Sequence, residues 1–196
     1  MFCKYIKIVE KYIIYYYNGG KFNSKGGSFM LFLKEANLDD YEKEYEAMKQ
    51  FPADENGFIN EYYGVSKQEF VDNVLPTFIN YSKGIDLPDG YVPCTYYFLW
   101  DDEEIVGLFK VRHWLNEALK RGSGHIGYGI LKQYRKKGYA TKGLALAIEK
   151  LKGYMKEDEV YMSCSKHNPA SLKVQQNNGA SIVYSDKEEY YTRIKI

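Results

Sequence analysis

Apolar and polar positions follow two rhythms along this chain, and the switches between them mark its elements. Residues 96–100 (Tyr-Tyr-Phe-Leu-Trp) and 105–111 are aromatic and β-branched runs. The acidic tetrad Asp101-Asp102-Glu103-Glu104 between them predicts a hairpin. Residues 125–131 predict the next strand. Residues 140–154, with Leu144, Ala147, Ile148 and Leu151 at helical spacing, predict an amphipathic helix. Residues 160–163 return to a strand, Asn168-Pro169-Ala170-Ser171 opens a helix with proline at an early position, and Gly179 ends it. Residues 181–184 and 190–196 complete the sheet as a final pair. Upstream, residues 30–34 suit a first strand, and Asn37-Leu38-Asp39-Asp40 suits the N-cap of a helix over 41–51, closed by Pro52 and Gly57. Ser66 with Glu69 reads as a capping box opening a second helix toward Tyr81, which Pro76 is expected to kink or divide. This order predicts an α+β fold: a mixed, mainly antiparallel central sheet flanked by helices.

Length and charge narrow the classes. A chain of 196 residues is one domain by the usual prior and buries roughly 70% of the surface its unfolded form exposes. Lys plus Arg (27) nearly balance Asp plus Glu (26), so there is no global basic field of the kind that advertises nucleic acid, and anion binding has to be local. Cys3, Cys94 and Cys164 lack paired or metal-ligand spacing, which argues for a reducing compartment and against a disulfide framework or metal site. Cys164 reads as a small core hydrophobe. No apolar run approaches the ~20 residues of a membrane span, and nothing resembles a cleavable signal; the expectation is a cytoplasmic protein. Residues 1–29 end in Lys25-Gly26-Gly27-Ser28-Phe29 before Met30, and Lys-Gly-Gly is what a purine-rich ribosome-binding sequence would encode. Two readings stand: a translated leader ahead of a single domain over 30–196, or an extra N-terminal strand over 12–17 with a Gly19-Gly20 turn.

The candidate chemistry sits in residues 127–147, where a short strand, a basic turn and a helix start follow one another. A strand that feeds a helix through a glycine turn aims unpaired backbone N–H groups and the positive end of the helix dipole at one point, a cradle for phosphate or pyrophosphate. Gly138 and Ala140 keep side chains out of the way of the amides from Lys136 to Thr141, while Arg135, Lys136 and Lys137 supply charge. Gly122-x-Gly124-x-x-Gly127 formally matches a dinucleotide fingerprint, but these glycines precede a strand rather than open a helix. A P-loop is excluded, since no Gly-Lys-Ser/Thr stands at the required spacing.

The segment Arg135-Lys136-Lys137-Gly138-Tyr139-Ala140 resembles the Q/R-x-x-G-x-G/A acyl-CoA loop of the GNAT-type N-acetyltransferases. The stretch Arg112-His113-Trp114-Leu115 through Gly124-His125-Ile126-Gly127-Tyr128 resembles a predicted-acetyltransferase subgroup of that family. The resemblance covers residues 111–179 and is topological before that. It implies a GNAT-like sheet with a splayed strand pair at the acyl-CoA site, and acetyl-CoA as cosubstrate. Residues 135–141 (Arg135, Lys136, Lys137, Gly138, Tyr139, Ala140 and Thr141) would then hold the diphosphate, with Lys137 reaching the ribose 3'-phosphate. Backbone groups of Ile130 and Leu131 would bond the pantetheine arm and polarise the thioester carbonyl, and Asn168 and Ser171 would complete the cofactor contacts.

The implied reaction is direct attack of a neutral amine on the thioester in a ternary complex. Deprotonating a lysine-like amine of pKa ~10.4 at pH 7 costs roughly 4.6 kcal/mol, which a base or desolvation has to offset. His125 is the candidate base, with Glu117 and His113 behind it. Many relatives protonate the departing thiolate from a tyrosine in the last helix, where this chain has Gln175. Water, bulk solvent, Tyr128 or Tyr184 are left to supply that proton. The acceptor, a small-molecule or peptide amine, is expected against residues 52–64, whose carboxylates and aromatics suit a cation. A homodimer is compatible with these readings, and neither nucleic acid nor membrane is an expected partner. Rival readings are an acyl-CoA-binding module without turnover, motivated by Gln175, and, more distantly, a nicotinamide-dependent oxidoreductase.

Overall fold

The structure is a computed structural model that describes residues 30–196 in full, together with the backbone of strands β1 (Tyr5–Val9) and β2 (Tyr12–Tyr16). β1 and β2 pair antiparallel. The Gly19-Gly20 turn lies outside the described residues.

β3 (Leu31–Glu35), β6 (Cys94–Asp101), β7 (Glu104–Arg112) and β8 (Ile126–Ile130) form an antiparallel sheet in the order β3-β6-β7-β8. β9 (Glu159–Ser165), β10 (Ser181–Ser185) and β11 (Glu189–Lys195) form a second antiparallel sheet in the order β10-β11-β9. β6 is buried along nearly its whole length because it is covered on both faces. Tyr97 and Leu99 face α5 (Tyr139–Leu151), in a core completed by Val106, Phe109, Leu144, Ala147 and Leu151. Tyr96, Phe98 and Trp100 face a second core that includes Met48 of α1 (Tyr41–Met48) and Leu75 and Phe78 of α3 (Leu75–Lys83). Burying each such Leu or Phe contributes about 1.5–3 kcal/mol.

Two of the predicted caps take physical form, whereas Asp40 at the start of α1 makes no side-chain cap bond. Ser66 accepts a hydrogen bond from the Glu69 N–H at 3.1 Å and starts α2 (Lys67–Glu69). The helix then runs through a π-helical segment, Phe70–Val74, before α3. Pro76 has no N–H to offer the preceding turn, and the mismatch is absorbed upstream as that wider turn rather than as a break. Asn168 caps α6 (Pro169–Asn177) by accepting from the Ser171 N–H at 3.1 Å, and Gly179 follows the helix with φ +89°. Asn116 caps the short α4 (Glu117–Arg121) in the same way.

Of the elements that go beyond the sequence expectations, one lies beside the candidate functional site. Within the stretch read as an acceptor loop, β4 (Asp54–Glu55) and β5 (Phe58–Ile59) form a small hairpin. Its turn is Asn56-Gly57, both with positive φ (54° and 86°), the pair that a tight hairpin turn favours.

Candidate functional site

The two sheets meet at one joint. Gly124 forms an isolated bridge with Met162, and the His125 N–H donates to the Tyr161 carbonyl at 2.7 Å. Beyond it, among the described residues, β8 pairs only with β7, and β9 only with β11. The Leu131 N–H donates to Val106 and the Arg112 N–H to His125, which sets the alternation along β8. By that alternation the N–H groups of Ile126, Tyr128 and Ile130 turn away from β7 toward the gap. Leu131 turns the other way: its N–H is spent on β7 and its side chain is buried in the second core.

The gap is the middle of a cleft of about 600 Å³. One wall is the start of α5, another is Ser163, Cys164 and Ser165 of β9 with Asn168 and Ser171, and a third is the β4–β5 hairpin from Glu55 to Phe58. The floor between them is bare backbone. A Cβ on Gly129 would lie 2.9 Å from the Phe51 ring and 3.3 Å from Phe58, so this tilted aromatic pair favours glycine there.

At the head of the cleft, Gly138 adopts φ +85° as the N-cap of α5, and Lys136 is also left-handed at φ 62°. The N–H groups from Lys136 to Thr141 find no acceptor among the described residues. No atom lies within 4 Å of where a Gly138 Cβ would stand. The residues fit a diphosphate: orphaned donors converge, the helix dipole adds about half a positive charge, and no side chain fills the space. Arg135 does not point at this spot. Its Nε donates to the Ile130 carbonyl at 2.9 Å and its guanidinium pairs with Glu55, so it ties loop, strand and hairpin together. Lys137 rests over the Tyr134 ring at 5.4 Å, and the Tyr139 hydroxyl bonds to Asp101.

The structure brings Tyr128, Asn168 and Ser171 together. The Tyr128 hydroxyl lies 2.9 Å from the Ser171 Oγ and donates to the Ser171 carbonyl at 3.3 Å. Burial pushes its pKa up to about 12, so the phenol stays protonated at neutral pH. Gln175 is buried one turn away, where its amide donates to the Ser163 carbonyl and accepts from Thr192 Oγ1. Cys164 packs in the core and also lines the cleft, and burial raises its thiol to about 11.

The other candidates lie elsewhere. His125 is completely buried at the joint. Its Nδ1 accepts from the Tyr161 N–H at 3.0 Å, which places the proton on Nε2, 3.2 Å from the Glu157 carboxylate. Neither nitrogen presents a lone pair to the cleft, and burial lowers its pKa. Burial pushes Glu157 up, but bonds from His125 and from the Leu115 and Lys156 N–H groups outweigh it and hold the carboxyl below its usual range. His113 is buried against Thr95 and stacked on Tyr154, Glu117 pairs with Lys120 on α4, and Tyr184 is exposed on β10 against Tyr191. Glu157 carries no signal in the sequence, whereas the Asn56-Gly57 turn does.

Residues 31–181 match the family model described as an acetyltransferase (GNAT) domain. No curated protein matches the chain in sequence. Among solved structures, the Microcin C7 self-immunity acetyltransferase MccE, in complex with acetyl-CoA and AMP, superimposes with a TM-score of 0.60 at 14% identity, covering 85% of this chain and 92% of that one. The ribosomal L7/L12 alpha-N-protein acetyltransferase RimL gives 0.57 at 13%, covering 97% and 99%. A chimera of spermidine N-acetyltransferase SpeG from Vibrio cholerae and hSSAT gives 0.54 at 15%, covering 84% and 95%.

Proposed function

The chain belongs to the GNAT acetyltransferase family, and from that premise we propose that it moves the acetyl group of acetyl-CoA to a primary amine of a small molecule or peptide, by direct attack with both bound. The observation that carries this reading is the set of orphaned N–H groups at Gly138 opening into the gap between β8 and β9. Acetyl-CoA supplies the activated acyl thioester; the chain's residues do the rest. The amides from Lys136 to Thr141 receive the diphosphate, and Lys137 reaches the 3'-phosphate. The inward N–H groups of Ile126, Tyr128 and Ile130 hold the pantetheine arm as an added strand and polarise the thioester carbonyl. Asn168 spends its amide oxygen on the helix cap, which leaves its NH₂ for the same arm. Tyr128 donates the proton that the departing thiolate needs, in place of the tyrosine that Gln175 replaces. His125, with both nitrogens engaged, positions the joint, and the amine loses its proton to water in the cleft.

Calorimetry with acetyl-CoA and NAD, followed by thiol release across a panel of amines, tests the reading. Binding of acetyl-CoA but not NAD, with thiol release on at least one amine, is expected. Absence of acetyl-CoA binding overturns it. Tight binding with no release on any amine favours the module without turnover, the reading that the buried, fully engaged Gln175 supports.

A further inference from the structure

On the Tyr96 side of the sheet, two cations stand with no ion-pair partner among the described residues. Lys110 and Arg112 are two apart on β7 and share a face. Both are half-buried. Among the described residues neither has a carboxylate within ion-pair distance. Glu61 is the carboxylate that acts on both through space, from beyond that distance, while the buried Cys94 thiol stands opposite Arg112 in register. The Lys110 ammonium lies 5.2 Å from the Tyr96 ring and 5.8 Å from Tyr91, a setting that holds a cation without neutralising it. Arg112 gives one N–H to the Gly124 carbonyl at 3.0 Å.

Their position gives them a use. Lys110 is paired with Gly127 of β8, and directly paired residues point to the same face. Gly127 lines the cleft, and nothing lies within 4 Å of where its Cβ would stand. The lysine stem therefore borders open space beside the strand whose N–H groups face the thioester. Of the carboxylates in the stretch expected to attract a cationic acceptor, Glu55 pairs with Arg135 and Asp54 accepts from the Gly57 N–H, while Glu61 acts on Lys110 and Arg112 from beyond ion-pair distance.

We propose that Lys110, with Arg112 beside it, forms a subsite for an anionic group on the acceptor, so that the amine acetylated by this protein carries a carboxylate or phosphate. Lys110 pairs directly with Gly127, so an acceptor bound along β8 would carry its anion on the β7 side of its amine. This rests on the acetyltransferase reading above.

The test titrates CoA-loaded protein with four probes by calorimetry: β-alanine, phosphoethanolamine, ethanolamine and putrescine. At least one of the two anionic amines should bind about tenfold or more tighter than ethanolamine, and which of them binds better separates carboxylate from phosphate. Lys110→Met should abolish that preference while CoA affinity stays at the wild-type value, and Lys110→Arg should restore it. Equal affinities in wild type and Lys110→Met, no binding of either anionic amine, or a wild-type preference for ethanolamine or putrescine would overturn the subsite. If CoA itself fails to bind, the acetyltransferase reading falls and takes this proposal with it; if CoA binds and the preference is wrong, only the subsite falls.

Discussion

The Tyr128 hydroxyl reaches across from β8 to the first turn of α6, and the proposed mechanism draws the thiolate's proton from it. Because burial holds it protonated, Tyr128→Phe should lower kcat on the order of 10²-fold while leaving acetyl-CoA affinity unchanged, the usual lower range for loss of a general acid. A kcat within twofold of wild type would assign the proton to water. Glu44 offers a second test away from the cleft. It is fully buried on α1 and accepts from the Asn37 N–H, and burial raises its pKa to about 8. The unfolded carboxyl ionises near 4.5 while the folded one keeps its proton, so the folded state binds more protons between the two values. That contribution to stability is complete below pH 4.5 and is lost as pH rises through about 8. Glu44→Gln should remove this decline, seen as a flatter Tm across the window; an unchanged slope would show that Glu44 is ionised in the folded protein.

At the level of elements, the proposed acetyl-CoA site concentrates at the start of α5. Gly138→Val places a β-branched residue at φ +85° and a side chain where the diphosphate would approach. Acetyl-CoA binding should fall below detection by calorimetry, while the far-ultraviolet spectrum stays that of wild type, because no packed atom is displaced. Retained affinity would move the site elsewhere. This element was legible in the sequence because strand, turn and helix are contiguous, and β6 was legible because burial on both faces leaves an unbroken apolar run. The β4–β5 hairpin was signalled by Asn56-Gly57, yet two-residue strands are too short to show alternation. The π-helical turn was hidden because Pro76 marks a disruption without saying how the chain absorbs it. Pairings such as His125 with Glu157, 32 residues apart, leave no local trace, and the setting of Lys110 over Tyr96 is visible only once its neighbours are in place.

At the scale of the whole molecule, two sheets are coupled at the Gly124–His125 joint, and the His125–Glu157 pair locks it. His125→Ala orphans the Tyr161 N–H and leaves Glu157 only the Leu115 and Lys156 N–H groups, at a cost of about 3 kcal/mol. For a domain of this size that is a fall in Tm of roughly 10 °C. The folded histidine resists protonation, so its advantage over alanine should shrink as pH drops below 6.5, where the unfolded chain takes up the proton. A Tm equal to wild type would mean that the joint does not depend on the pair. The joint also has mechanical leverage. β8 spans five residues, about 17 Å, from that point, so a rotation of only ~5° about it moves the far end by ~1.5 Å. Displacement of that size separates a hydrogen bond that forms from one that does not, so a buried imidazole outside the cleft bears on how far apart β8 and β9 stand within it.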